Sequence, residues 1–170
     1  VGFVPTSTAD LPAPAAGKRR YAWRYLDGGN ARIEAGSVSE LDYGKRLAVS
    51  TFADYAALAR AYQDRLGAGA LPDDAVAALA ARVTGDVAEP RARAIALSDW
   101  VRRNVRYVGM HFGPGGVVPH AAASVLANRY GDAKDHATLL VDLLTSAGID
   151  STVALVNNGN AYQLPAVPTL

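Results

Sequence analysis

No cysteine occurs anywhere in the chain, and this absence removes more chemistry than any other. It excludes a disulfide, a Cys-based zinc site and a thiol nucleophile. A cysteine-free chain also suits an oxidising compartment. An excess of charge of one sign is missing too. At a net +1 there is no electrostatic footprint for nucleic acid or for an anionic membrane. Apolar runs are all too short to span a bilayer. The opening Val1-Gly2-Phe3-Val4-Pro5 lacks the basic start and apolar core of a signal peptide. With no initiator Met, these residues are expected to lie inside a longer precursor. What remains is half hydrophobic and 19% charged, which excludes wholesale disorder.

The patterning changes partway along. Arg20 to Leu26 alternates polar with apolar or aromatic residues, as a half-buried strand does. Asp27-Gly28-Gly29-Asn30 is a turn cluster, followed by room for a strand over 31–35 and another over Arg46 to Ser50. From Thr51 the spacing becomes helical, ending near Gly67-Ala68-Gly69. A second helix opens at Pro72-Asp73-Asp74, carries Val76, Leu79, Ala80 and Val83 on its apolar stripe, and stops at Gly85. Pro90 starts a third. A strand is expected over Tyr107 to Phe112, a loop at Gly113-Pro114-Gly115-Gly116, and a short helix from Pro119 to Ala127. Residues 1–50 therefore read as the end of a β-rich domain, and 51–170 as part of an α+β core.

One helix start stands out. In Arg129-Tyr130-Gly131-Asp132-Ala133-Lys134-Asp135-His136, Asp132 is the expected N-cap, and Asp135 three residues on completes a capping-box pattern. The helix should run from about Ala133 to Ala147, with Ala133, Ala137, Leu140, Val141 and Leu144 on one face and Gly148 as its stop. Ile149 to Val156 reads as a strand. Asn157-Asn158-Gly159-Asn160 is a hairpin turn, with 161–164 returning as an edge in need of a cover.

The run Leu126 to Leu140, with Leu143-Leu144 and Ala147-Gly148-Ile149-Asp150, resembles the core of the bacterial transglutaminase-like superfamily. That family carries G-D-C-K-D-K-A-T-L-L, then an aliphatic helix and a Gly-Ile turn into a strand. Trp100 to Val108 resembles the helix and strand that precede it, so the resemblance covers roughly residues 50 to 164. Residues 1–50 resemble the end of the β-sandwich that often precedes this core. The resemblance implies a papain-like α+β fold, with the nucleophile-position helix packed on an antiparallel sheet. It also implies a Cys-His-Asp catalyst acting on amide bonds through a thioester, with no cofactor and no metal. A thiol at a helix N-terminus lies in the positive end of the macrodipole, which lowers its pKa from ~8.5 into the ~3.5–7.5 range. The main-chain N–H at position 133 suits an oxyanion donor.

Here the nucleophile position is Ala133. The family's His and Asp lie on later strands, and the chain reaches Leu170 before any such segment, so the chain as given is expected to be inactive. Two origins fit: a Cys-to-Ala exchange that traps substrate or blocks self-processing, or a natural pseudoenzyme that binds without turnover. By resemblance, Tyr107, Gly131 and Asp132 line the substrate cleft. The partners implied are a peptide or protein substrate, an amine acceptor, and the remainder of the same core. The location implied is periplasmic or secreted.

The other conspicuous residues have plainer readings. His136, where the family has Lys, reads as a solvated helix residue, with pairing to Asp132 as the alternative. His111 and His120 flank the glycine loop without a third metal ligand at helix or hairpin spacing. The glycine loop lacks the Gly-Lys-Ser/Thr of a phosphate cradle. Trp100 reads as core. Arg91, Arg93, Arg102, Arg103 and Arg106, interspersed with Glu89 and Asp99, read as an ion-paired helix face.

Overall fold

The structure, a computed structural model, describes residues 2–5, 7, 11–26, 34–38, 42, 44, 46–66, 72–109, 113–156, 165, 167 and 168. The chain divides into two compact units, Val1–Leu58 with Val156–Leu170, and Ala59–Leu155.

In the first unit β1 (Gly2–Pro5) pairs antiparallel with β2 (Trp23–Leu26), with Val4 opposite Arg24. Of the strand expected over Arg20 to Leu26, the last four residues form a ladder. Tyr21 and Trp23 stack at 5.8 Å, as alternate residues on one face do. The strand expected over Arg46 to Ser50 does not form. Leu47 and Val49 are exposed, so this alternation has no apolar face to bury. Of the strand expected over 31–35, residues 31–33 lie outside the described residues, and Glu34 and Ala35 lie in no strand.

Helix α1 (Tyr55–Arg65) is followed by α2 (Asp74–Thr84), α3 (Pro90–Asn104), β3 (Arg106–Tyr107), α4 (Ala122–Asn128), β4 (Tyr130–Gly131) and α5 (Ala133–Ser146). The helix boundaries follow local chemistry. Asp73 caps α2 by accepting the Ala75 N–H, and Gly85 stops it at a φ of 43°. Glu89 accepts the Arg91 and Ala92 N–H groups at the start of α3, where Pro90 has no N–H to satisfy. Gly148, at a φ of 75°, follows the end of α5. The glycine loop expected at 113–116 is a 3-10 turn.

The core of the second unit joins Val76, Leu79 and Ala80 of α2, Leu97 and Val101 of α3, Val105, and Ala122 and Val125 of α4 to Leu139 and Leu143 of α5. Each fully buried Leu or Val contributes about 1.5–3 kcal/mol. The inner face of α5 differs from the expected one. Asp135, Leu139 and Leu143 are buried at i, i+4, i+8, with Leu140, Leu144 and Ala147 at the margin, while Ala133 is exposed. Apolar spacing does not mark this face, because a fully buried carboxylate at Asp135 interrupts it.

The sheet beside α5 is a parallel pair, not the antiparallel sheet expected. Arg106 pairs with Tyr130 and Tyr107 with Gly131, with the Arg106 N–H donating to the Arg129 carbonyl and the Val108 N–H to that of Gly131. The crossover through α4 returns the chain in the same sense, which makes the pair parallel. Val108 and Gly109 lie past the end of the ladder, and 110–112 lie outside the described residues. Residues 149–156 form no ladder either, although Ser151 and Val153 are half-buried and Thr152 and Ala154 exposed, the alternation of a strand. The expected hairpin at 157–164 lies outside the described residues.

Candidate functional site

The site is built on the junction between β4 and α5. Asp132, 5% exposed, caps α5: its carboxylate accepts the Lys134 and Asp135 N–H groups and pairs with the Lys134 ammonium. In return, Asp135 Oδ2 accepts the Asp132 N–H at 3.1 Å, closing a capping box. The His136 N–H bonds the Asp132 carbonyl. Of the first-turn N–H groups, that of Ala133 has no partner among the described residues. Burial pushes the Asp132 carboxyl up, but the Lys134 ammonium and the two N–H donors outweigh it and hold it below the ordinary value. Lys134 thus cancels a negative charge one residue before Ala133.

The structure brings together all four residues singled out from the sequence. Ala133 is the first residue of α5 and is exposed. Gly131 and Asp132 are buried immediately before it, and Tyr107, 64% exposed, is the ladder partner of Gly131. The ring of Tyr107 lies 6.0 Å from that of His136.

His136 departs from its expected role as a solvated residue. It is half-buried, with Nδ1 2.8 Å from the Asp132 carbonyl and Nε2 3.2 Å from the Val105 carbonyl. The pairing with Asp132 is therefore to the main chain, and the second contact reaches the residue just before β3. Sequence spacing could not reveal it, since Val105 is 31 residues away.

Asp135 does more than close the expected capping box, and His120 and Tyr62 join it at the site. Asp135 is 0% exposed and accepts three donors: the Asp132 N–H, the His120 N–H at 2.8 Å and the His120 Nδ1 at 3.2 Å. The capping pattern pointed to Asp135, but nothing local pointed to His120. Gly131 is glycine because Asp135 lies against it, and a Cβ there would stand 2.5 Å from the Asp135 Cβ. Tyr62, on α1, is buried close enough to feel the charges of Lys134, Asp132 and Asp135. Its phenol is pushed up by burial and by the two carboxylates, against Lys134.

Trp100 packs against the core, and the Arg129 guanidinium lies 4.9 Å over its ring. Arg102 and Arg103 pair with Asp99 on an exposed helix face. Among the described residues no three His, Asp or Glu side chains converge as metal ligands, and His111 lies outside them.

Comparison with known proteins gives this arrangement a context. A solved structure from Parabacteroides distasonis, titled a "putative protease", superposes with a TM-score of 0.51 at 21% identity, over 69% of this chain and 24% of its own. The likeness carries the fold alone, and the chain spans about a quarter of that protein's length. No curated protein matches significantly. The family model described as transglutaminase-like superfamily matches residues 77–163, slightly more than half of the chain and the whole of the site from Tyr107 to His136. The chain belongs to the transglutaminase-like superfamily.

Proposed function

We propose that the surface at Ala133 is the acyl-handling site of a transglutaminase-like thiol acyltransferase or peptidase, with alanine in the place of its nucleophile. One observation carries this reading: Ala133 is exposed at the capped start of α5, and its main-chain N–H has no partner among the described residues. A thiolate at this position would gain from the macrodipole and from the Lys134 charge that offsets Asp132. It would attack an amide carbonyl, and the resulting oxyanion would meet the Ala133 N–H. The C–N bond then breaks, the amine leaves with a proton from the histidine that the family carries on a later strand, and water or a second amine takes the acyl group from sulfur. With a methyl group at 133 the first bond cannot form. The chain then holds a peptide or protein segment beside Tyr107 without turning it over.

Ala133→Cys tests the reading cleanly, since the chain has no other cysteine. The new thiol should be alkylated by iodoacetamide at pH 6–7 faster than a free cysteine under the same conditions. A rate no greater than that of the free thiol would show that the position does not activate sulfur. The alternative, a natural binding module, differs in one respect that the gene decides: it encodes alanine at this codon.

A further inference from the structure

We propose that His120 is a positioning residue for the Ala133 site. Through Asp135 it sets the main chain from Gly131 to Ala133, where an acyl group would be handled; the inference rests on the functional reading above.

The argument begins with Asp135. Its carboxylate is completely buried, and a buried carboxylate needs donors for its lone pairs. The Asp132 N–H supplies one from the strand end, and His120 supplies two from the loop before α4, its N–H and its Nδ1. The carboxylate has only acceptors to offer in this geometry, so His120 Nδ1 carries the proton that bonds it. The His120 side chain is 48% exposed and lines a shallow pocket with Val125, Asn128 and Tyr130. Gly115 of the 3-10 turn is a near neighbour of the ring, placed so that a Cβ on it would lie 3.8 Å from His120 Cε1.

Asp135 in turn controls the site. Its Oδ2 holds the N–H of Asp132, the residue before Ala133, and its side chain fills the space that a Cβ on Gly131 would need. A carboxylate that loses the His120 Nδ1–H must rotate toward its remaining donors, and any rotation moves the Asp132 peptide and the direction of the Ala133 N–H. Sub-ångström placement of these groups decides whether they favour charge at position 133.

A purely structural loop staple would alter stability and nothing else, so the test reads the site itself. In the Ala133→Cys chain, alkylation by iodoacetamide is followed from pH 5 to 9 with His120, with His120→Phe and with His120→Asn. Phenylalanine keeps a ring against Gly115 but has no donor, whereas the Asn Nδ2 donates from about the position of His Nδ1. The Phe variant should react about tenfold more slowly at pH 7, with its profile moved to higher pH, and the Asn variant should recover most of the rate. In the unaltered chain, the Asp132 and Ala133 amide resonances should move in His120→Phe and return in His120→Asn, and imidazole nitrogen shifts should report the Nδ1–H tautomer. Equal pH profiles for Phe and His, or an Asn variant that behaves like Phe, would overturn the proposal. If the thiol shows no activation even with His120 present, the functional reading fails, and the amide resonances still decide whether His120 positions this backbone.

Discussion

Gly131 and Asp135 compete for one volume: a Cβ on the glycine would stand 2.5 Å from the Asp135 Cβ and 2.9 Å from its Oδ2. Gly131 has no left-handed φ, so its glycine requirement is steric and not conformational. Gly131→Ala should therefore destabilise by about 1–3 kcal/mol, as overpacking does. Gly115→Ala makes a good control, since among the described residues its Cβ would meet only His120, at an ordinary 3.8 Å. Urea denaturation of the two variants checks this. Equal losses would mean that the backbone at Gly131 yields easily and that the close approach has no energetic weight.

Removing the other partner should be more damaging. Asp135→Ala leaves the buried Asp132 N–H and the part-buried His120 N–H without their acceptor. Each orphaned donor costs about 1–3 kcal/mol, so the total should reach about 3–5 kcal/mol. The loss should also expose the Asp132 amide to hydrogen exchange. A variant with near-native stability would show that water replaces the carboxylate.

This pair also shows what the sequence made legible and what it did not. The helix start was readable because a cap is a local device: Asp132 and Asp135 lie three residues apart and bond each other's main chain. The α2 and α3 starts were readable for the same reason, from Asp73 and from Pro90. The inner face of α5 was not readable. Leu139 and Leu143 share it with a carboxylate two of whose three donors come from His120, 15 residues back. A pattern search prefers Ala133 and Ala137, which are apolar but small. Leu139→Ala should settle the face by costing about 2–5 kcal/mol in thermal unfolding. The strands at 46–50 and 149–156 failed differently. Alternation is necessary for a strand, but only a partner makes a ladder, and the partner is a long-range fact.

Lys134 carries a prediction that separates stability from electrostatics. Its side chain is 14% exposed and pairs with an Asp132 side chain at 8%. Lys134→Met keeps most of the stem and deletes the charge, leaving Asp132 with only its N–H donors. The loss should be about 1–3 kcal/mol at pH 7, and it should shrink in acid as Asp132 becomes neutral. In the Ala133→Cys chain the same substitution should slow alkylation, because the Asp132 charge would then oppose a neighbouring thiolate. An unchanged rate would remove Lys134 from the electrostatics of the site.

The pH dependence of stability follows from three groups shifted in two directions. For Asp132, burial raises the pKa but the Lys134 ammonium and helix N–H groups lower it further, so the folded value lies below the ordinary 3.8. Its contribution is present above about pH 4 and is lost as pH falls through the folded value. Asp142, on α5, is raised by burial alone. The folded state prefers its neutral form, so its contribution is present in strong acid and is lost as pH rises through the carboxylate range. Asp142→Asn should therefore leave the melting temperature at pH 7 unchanged or higher, and the difference from the parent should vanish below pH 3. Tyr62 is raised mainly by burial, so its contribution persists to about pH 10 and is lost above it, a loss that Tyr62→Phe should abolish. Melting curves from pH 2 to 11 read all three. A lower melting temperature for Asp142→Asn at pH 7 would mean that this carboxylate has a stabilising partner and not a desolvation burden.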